Sequence, residues 1–496
     1  MANQEETGLV KGLTLTSATT LVIGSMIGSG IFVVSAEMGR NLQSPALLVG
    51  AWLVTGFMTI VGALSYGELA AMMPTAGGQY VYLREALGRI WGFLYGWTLF
   101  LVIQTGTIAA VGVGFGKFLG VFLPSVSSQN WLLHVAHVPP ITIAGITVGN
   151  MDIGLSTQNL AAIVVVLLLT EVNVRGVKTG AMVQNVFTFA KTAALLGLVL
   201  AGLTLGHNAE ALAANFHDFW RNPVPGGNVF ISTIALLAVA QVGSLFAADA
   251  WNNVTFTAGE VLNPQRNLPL SLLLGTGLVI LLYLAANVVY LMVLPLTGDP
   301  HGATTLSRGI QYASEDRVGT AVMEQMFGST GGYLMAAAIM VSTFGCANGM
   351  ILAGARVYYA MAEDGLFFQS VAKIDPIHHT PAISLRLQAV WTCILCLSGS
   401  YGQLLDYIIF AVLLFYILTI GGLFVLRRTR PDAPRPYKAF GYPVLPAIYL
   451  AMAAYIDVIL LLYKPQYTWP GLILVLLGVP VYLLWSRQPA PQPEAV

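Results

Sequence analysis

Apolar residues run through the chain in long unbroken stretches separated by short polar pieces. A membrane span needs about 20 mainly apolar residues. Roughly twelve stretches meet that description, centred near Ile27, Phe57, Leu101, Val165, Leu195, Ala240, Leu281, Ala338, Cys393, Leu413, Ala453 and Leu476. Turn-forming sequences such as Asn222-Pro223-Val224-Pro225-Gly226-Gly227 and Asn263-Pro264-Gln265-Arg266-Asn267 separate them. The stretches show no strand-like alternation, and only helices or closed barrels cross lipid, so the pattern predicts helices. The segment 306–327 is expected to hold a short surface helix.

Composition agrees. Of 496 residues, 56% are hydrophobic and only 9% charged, against about 25% charged in a soluble domain. The net charge is zero, so no basic field recruits nucleic acid. Cys346, Cys393 and Cys396 all lie in apolar runs and read as packing residues. No cleavable signal peptide is expected, because the first stretch is too long and has a polar residue at its centre. With the N-terminus placed in the cytoplasm, 15 Lys and Arg fall on the inner side, among them Lys11, Arg84, Arg356, Arg427 and Arg435, and 5 on the outer side. The positive-inside rule therefore puts both termini in the cytoplasm. The outer loop 124–155 is nearly free of Lys and Arg.

Two spans are interrupted. The first contains Ile23-Gly24-Ser25-Met26-Ile27-Gly28-Ser29-Gly30-Ile31-Phe32, and each glycine weakens a helix by roughly 1 kcal/mol relative to alanine. The sixth contains Phe246-Ala247-Ala248-Asp249-Ala250-Trp251-Asn252-Asn253, and an acid at a span centre costs about 2.5–3.5 kcal/mol on insertion. These are the leading spans of two five-helix halves, the arrangement of an inverted-repeat carrier with a midplane site. The expected layout is a first repeat at 1–206, a second at 228–428, two further helices at 442–487 and a cytoplasmic tail at 488–496. A broken helix exposes N–H groups at one new end and carbonyls at the other. The first kind favours a carboxylate and the second an ammonium. Such a break suits a zwitterion, which makes an α-amino acid the expected solute.

Lys191 lies mid-span in Phe187-Thr188-Phe189-Ala190-Lys191-Thr192, too deep to reach the interface easily. A lysine there must be paired or neutral. Candidate partners are carbonyls freed near Gly24 and the hydroxyls of Ser342 and Thr343. Lys117, near a span end, is given no role. The seven histidines all fall in predicted loops, so no catalytic set such as H-E-x-x-H is visible and an enzyme is not expected. No repeated filter points to a channel. No metal or cofactor is expected.

The sequence resembles a bacterial member of the L-type amino acid transporter group, within the amino acid–polyamine–organocation superfamily. The resemblance is carried by Gly28-Ser29-Gly30-Ile31-Phe32, by Phe246 to Asn252 followed by Glu260 and by Asn263-Pro264-Gln265-Arg266-Asn267-Leu268-Pro269, by Ser342-Thr343-Phe344-Gly345-Cys346-Ala347-Asn348-Gly349, and by Pro434-Arg435-Pro436-Tyr437 with Gly441-Tyr442-Pro443. It covers nearly the whole chain. It implies an all-α polytopic membrane protein of the leucine-transporter type in a bacterial inner membrane. N–H groups around Ser29, Gly30 and Ile31, next to Gly28, would take the substrate carboxylate. Carbonyls at Met26, Ile27, Phe246 and Asp249 would take its amino group. Ala247, Ala250, Trp251 and Asn252 would complete the site, with Phe246 as its outer gate. Lys191, touching Gly24 and Ser342, would stand where sodium-coupled relatives hold a sodium ion, which implies sodium-independent exchange. Proton-coupled symport through Lys191 is the rival. Many relatives have glycine where Ala250 stands. Asp249 falls where relatives vary and could admit cationic side chains or polyamines. The loop 124–155 lacks the cysteine that joins animal relatives to a heavy subunit, so no disulfide-linked partner is expected.

Overall fold

A computed structural model describes residues 9, 11–139, 141–143, 146–148, 151–221, 229–397 and 401–485. The turn at 222–227, the start of the expected second repeat at 228 and the tail at 488–496 lie outside the described residues. Among them, ten helices are long and apolar enough to cross a membrane, and the shorter apolar helices Thr233–Ala247 and Ala382–Cys396 bring the stretches to twelve.

In chain order these are α1 (Leu15–Met26) and α2 (Val34–Leu42), together the broken first span, then α3 (Pro45–Met72). A short α4 (Gln79–Leu87) leads to α5 (Arg89–Thr98) and α6 (Gln104–Leu119), joined through a π-helical turn at Leu99–Ile103. α7 (Thr157–Val174), α8 (Val177–Leu205) and the short α9 (Ala209–Phe216) follow. The sixth span is α10 (Val229–Ala247) plus α11 (Asn253–Phe256). The rest is α12 (Pro264–Val293), α13 (Thr305–Arg308), α14 (Val318–Glu363), α15 (Ala382–Cys396), α16 (Tyr401–Thr429), α17 (Val444–Tyr463) and α18 (Pro465–Trp485). Local chemistry sets several starts. The Thr14 hydroxyl accepts from Ser17 N at 3.2 Å and that of Ser156 from Asn159 N at 3.1 Å, while Pro45 and Pro264 occupy first turns.

The solvent of this fold is legible in α8. Met182, Val186, Phe189, Leu196, Leu200 and Leu203 are exposed, whereas Gln184, Thr188 and Lys191 are buried. A helix in water presents the opposite arrangement; apolar outside and polar inside is what lipid requires.

Two expectations change, and a third is located. The loop 124–155 carries two antiparallel hairpins, β1 (Trp131–Val138) with β4 (Met151–Ser156) and β2 (Ile141–Ile143) with β3 (Ile146–Val148). His134 and His137 therefore sit on a strand, where both meet Asp152 Oδ1, at 3.1 and 2.9 Å. Arg356, counted with the inner loops, lies inside α14 with no exposed surface. Cross-strand pairing and burial depend on distant partners, which hydropathy does not register. The surface helix expected at 306–327 is a stretch of α14 at 318–327, set off by a bend at Gly328 (φ 67°).

Candidate functional site

The helical bonding of α1 ends with Ile27 N donating to Ile23 O at 2.9 Å. Ile27 then leaves the helical region (ψ 89°), and a single turn, Gly30–Phe32, restarts the chain toward α2. The N–H groups of Gly30 and Ile31 open that turn, where no preceding turn supplies a carbonyl. At the other end, Lys191 Nζ donates to the carbonyls of Gly24, of Ile27 at 2.8 Å and of Ser342 at 3.3 Å. An ammonium has three N–H donors, and each meets one carbonyl. Ser342 Oγ lies 3.0 Å from Ile27 O and 3.1 Å from Gly28 O.

This arrangement revises two residues. Thr343 was grouped with the lysine, but its hydroxyl lies 3.0 Å from Ile339 O and Met340 O of its own helix, the usual back-bonding of a threonine inside a helix. The Ile27 carbonyl, assigned to the substrate amino group, already faces Lys191 and Ser342, which occupy its two lone pairs.

The break in the sixth span follows Ala247. Ala248 N donates to Ser244 O at 3.0 Å and Asp249 N to Phe246 O at 3.2 Å. Ala250 then takes φ +65°, a left-handed conformation that costs an L-residue roughly 1–2 kcal/mol and none of it at glycine. A glycine would fit this backbone freely; the alanine here holds it under strain. Asn253 N returns to Ala250 O at 3.2 Å and α11 begins.

The two breaks touch. A methyl group on Gly30 would stand 2.8 Å from Ala247 Cβ. Tyr283 of α12 reaches both, its hydroxyl 2.9 Å from Met26 O and 3.1 Å from Ala247 O. Open space lies on the far side of the sixth-span break. Two narrow cavities of about 20 Å³ each, room for about one water molecule and not for a solute, share Asp249, Val412 and Tyr416. Trp251 lines one and Ala250 and Asn252 the other. Gly28, Ser29, Gly30, Ile31, Met26, Ala247 and Phe246 line neither. The predicted residues are thus brought together, with no solute-sized gap between the breaks in this conformation.

Asp249 is buried and accepts from Tyr416 Oη at 2.6 Å. The Trp251, Tyr66 and Tyr416 rings pack edge-on or tilted, with centroids 4.9–5.7 Å apart. Asn252 Nδ2 donates to Gln79 Oε1 at 2.9 Å, and Gln79 Nε2 to Thr419 Oγ1 at 3.0 Å. Tyr283, Tyr416 and Gln79 escaped the sequence reading; their only local signal is a polar head in or beside an apolar run.

Ties between the spans lie on both faces. On the face carrying residues 11–13, hereafter the N-terminal face, Gly12 N and Leu13 N donate to Glu260 O at 2.9 Å, and Leu262 N to Leu13 O at 2.8 Å. The Glu260 carboxylate is gripped by Arg356 at 2.8 and 3.1 Å, with neither side chain exposed. On the opposite face Arg40 pairs with Asp316 at 2.7 Å, and Arg317 donates to Lys117 O at 2.7 Å.

The chain matches the amino acid permease family over residues 13–483. It is 32% identical over 485 residues to a human large neutral amino acids transporter small subunit 2, covering 97% of this chain and 82% of that protein. It is 28% identical over 488 residues to the serine/threonine exchanger SteT of Bacillus subtilis, covering 98% and 99% of the two chains. A mouse Asc-type amino acid transporter 1 is 28% identical over 491 residues, covering 98% of this chain and 83% of its own length.

Proposed function

The chain belongs to the amino acid permease family, as a member of its L-type amino acid transporter group, and from that premise we propose that it is a sodium-independent antiporter exchanging neutral L-amino acids by alternating access. The observation that carries the reading is the Lys191 ammonium on the Gly24, Ile27 and Ser342 carbonyls. A fixed cation bridges the broken first span to α14, so no dissolved ion is needed to hold them. The substrate carboxylate goes to the N–H groups of Ser29, Gly30 and Ile31 once the two breaks part. Its amino group goes to the carbonyls of Phe246 and Asp249, since Met26 O, like Ile27 O, already meets two donors, Gly28 N and Tyr283 Oη, at 2.9 Å each, and Phe246 closes the outer side.

The same reading makes 1–206 and 228–428 inverted repeats, with 442–487 outside them. It puts the protein in a bacterial inner membrane with the N-terminal face and the C-terminus in the cytoplasm, supported by 14 inner against 5 outer Lys and Arg once the buried Arg356 is left out. The loop 124–155 contains no cysteine, which supports a carrier that works without a disulfide-linked heavy subunit.

In purified proteoliposomes, labelled neutral amino acids enter only when an amino acid is loaded inside, with or without sodium. Robust uptake into empty vesicles under an imposed pH gradient would replace exchange by proton symport. A second reading rests on Asp249: a carboxylate beside Trp251 and Tyr416 suits an ammonium or guanidinium side chain, or a polyamine. Competition by lysine and arginine during exchange decides it.

A further inference from the structure

We propose that Gln184 is a positioning residue for transport: its side-chain amide is wedged between α1 and α14, pins the N-terminal half of the broken first span, and sets how readily the carrier opens to the N-terminal face. The proposal rests on the reading of the chain as an alternating-access carrier.

Residues 184, 188 and 191 are spaced to share one face of α8, and all three are buried. Lys191 engages the very end of α1. Gln184 engages α1 from the side, about two helical turns nearer the N-terminal face. A methyl group on Gly24 would overlap Gln184 Nε2 and Thr188 Oγ1. A methyl group on Gly349 of α14 would stand 2.8 Å from the same Nε2 and 2.8 Å from Ser25 Oγ. Both neighbouring helices therefore present a glycine where the amide enters.

The amide is also oriented. Asn348 Nδ2 donates to Gln184 Oε1 at 3.1 Å and to Gly180 O at 3.1 Å, while Asn173 Nδ2 donates to Asn348 Oδ1 at 2.8 Å. Gln184 Nε2 points to Thr188 Oγ1 at 3.4 Å, which donates to Thr20 O of α1 at 3.1 Å. This row ties α7, α8 and α14 into one block, and α1 lies against it. Opening toward the N-terminal face requires the inner half of α1 to leave that block. A buried apolar contact can slide, but an amide set in two glycine notches and held by hydrogen bonds disengages as a unit. The wedge thereby gives the closed state a defined seat.

The test uses Cys346, buried behind α1 with its thiol donating to Ser25 O at 3.0 Å. A membrane-impermeant maleimide is applied to one face of sealed vesicles at a time, and the labelled cysteine is identified by mass spectrometry. Gln184→Ala is expected to raise labelling of Cys346 from the N-terminal face about fivefold, the population shift given by losing the contribution of one hydrogen bond, here that of Thr188 to Thr20 O, which the Gln184 amide orients. Labelling from the opposite face stays at the wild-type rate. The KM of exchange measured on the N-terminal face falls relative to that on the opposite face. Gln184→Met, which keeps the bulk and removes the hydrogen bonds, shows the same one-sided shift and serves if the alanine variant folds poorly. An equal rise from both faces, or wild-type labelling in both variants, overturns the proposal. Labelling needs no transported solute, so failure of the exchange reading shows up separately, as wild-type protein that labels but does not exchange.

Discussion

The two interrupted spans solve one problem by different means. Both must leave backbone groups unpaired inside a membrane, where each such group costs several kcal/mol. In the first span the side chains around the break are small or apolar, and stabilisation comes from other helices: Lys191 of α8, Ser342 of α14 and Tyr283 of α12. In the sixth span the break carries its own acid, indole and amides, and partners such as Tyr416 and Gln79 come to them. The first break presents backbone, which every α-amino acid can use alike. The second presents side chains, which differ in what they admit. On the proposed function the contrast is a division of labour between a constant zwitterion site and a variable side-chain site; three measurements test it in order of expected size, and a fourth, on the hairpin, lies outside it.

Lys191→Ala should have the largest effect. Three carbonyls lose their cation, and a buried charge-assisted contact of this kind contributes about 1.5–3 kcal/mol per hydrogen bond. Exchange by reconstituted protein is expected to fall at least about tenfold for every substrate, because a step of 1.4 kcal/mol is already tenfold. A variant that lost some substrates and kept others would break the division, since the first break is argued to be indifferent to side chains.

Asp249→Ala should act selectively. If the sixth-span break chooses the side chain, competition by lysine and arginine weakens by about tenfold, the factor expected for one charged contact, while neutral competitors hold. Unchanged competition would make Asp249 an internal partner of Tyr416 only.

Ala250→Gly removes a strained conformation, at φ +65°, and should stabilise the protein by about 1 kcal/mol, read as a rise of a few degrees in the melting temperature of detergent-solubilised protein. A fall would mean that the alanine methyl is worth more as a cavity wall than it costs as backbone.

The smallest effect lies away from both breaks, on the hairpin. Hydrogen bonds from His137 and then His134 hold the Asp152 carboxyl below its usual range. A lowered folded pKa gives stability that is present above the unfolded carboxylate value, about 3.9, and lost as pH falls through the folded value. Amide protection in 131–138 and 151–156, measured against the intrinsic exchange rate, should therefore fall locally only at acidic pH, and Asp152→Asn should remove that dependence. Exchange of amino acids at neutral pH should be unaffected by the same substitution.

Much of this was legible in the chain. Twelve apolar stretches marked the spans, because lipid imposes a length and a polarity that each segment satisfies by itself. Gly24 to Gly30 and Phe246 to Asn253 marked the breaks, since glycines and an acid at mid-span carry a local energetic cost whatever surrounds them. Lys191 stood out for the same reason.

What the tertiary structure decided were matters of who meets whom. That Ile27 O faces Lys191, that Thr343 turns back on its own helix, that Tyr283 joins the two breaks and that Gln184 fits between Gly24 and Gly349 all depend on helix rotation and approach. Residues 24, 184 and 349 are far apart in sequence, and no periodicity relates them. The strain at Ala250 was hidden likewise, because alanine ordinarily favours a right-handed helix. Hydropathy and local cost are properties of a segment, so the sequence determined the spans and their interruptions; pairing is a property of the packed whole, so only the fold could assign the partners.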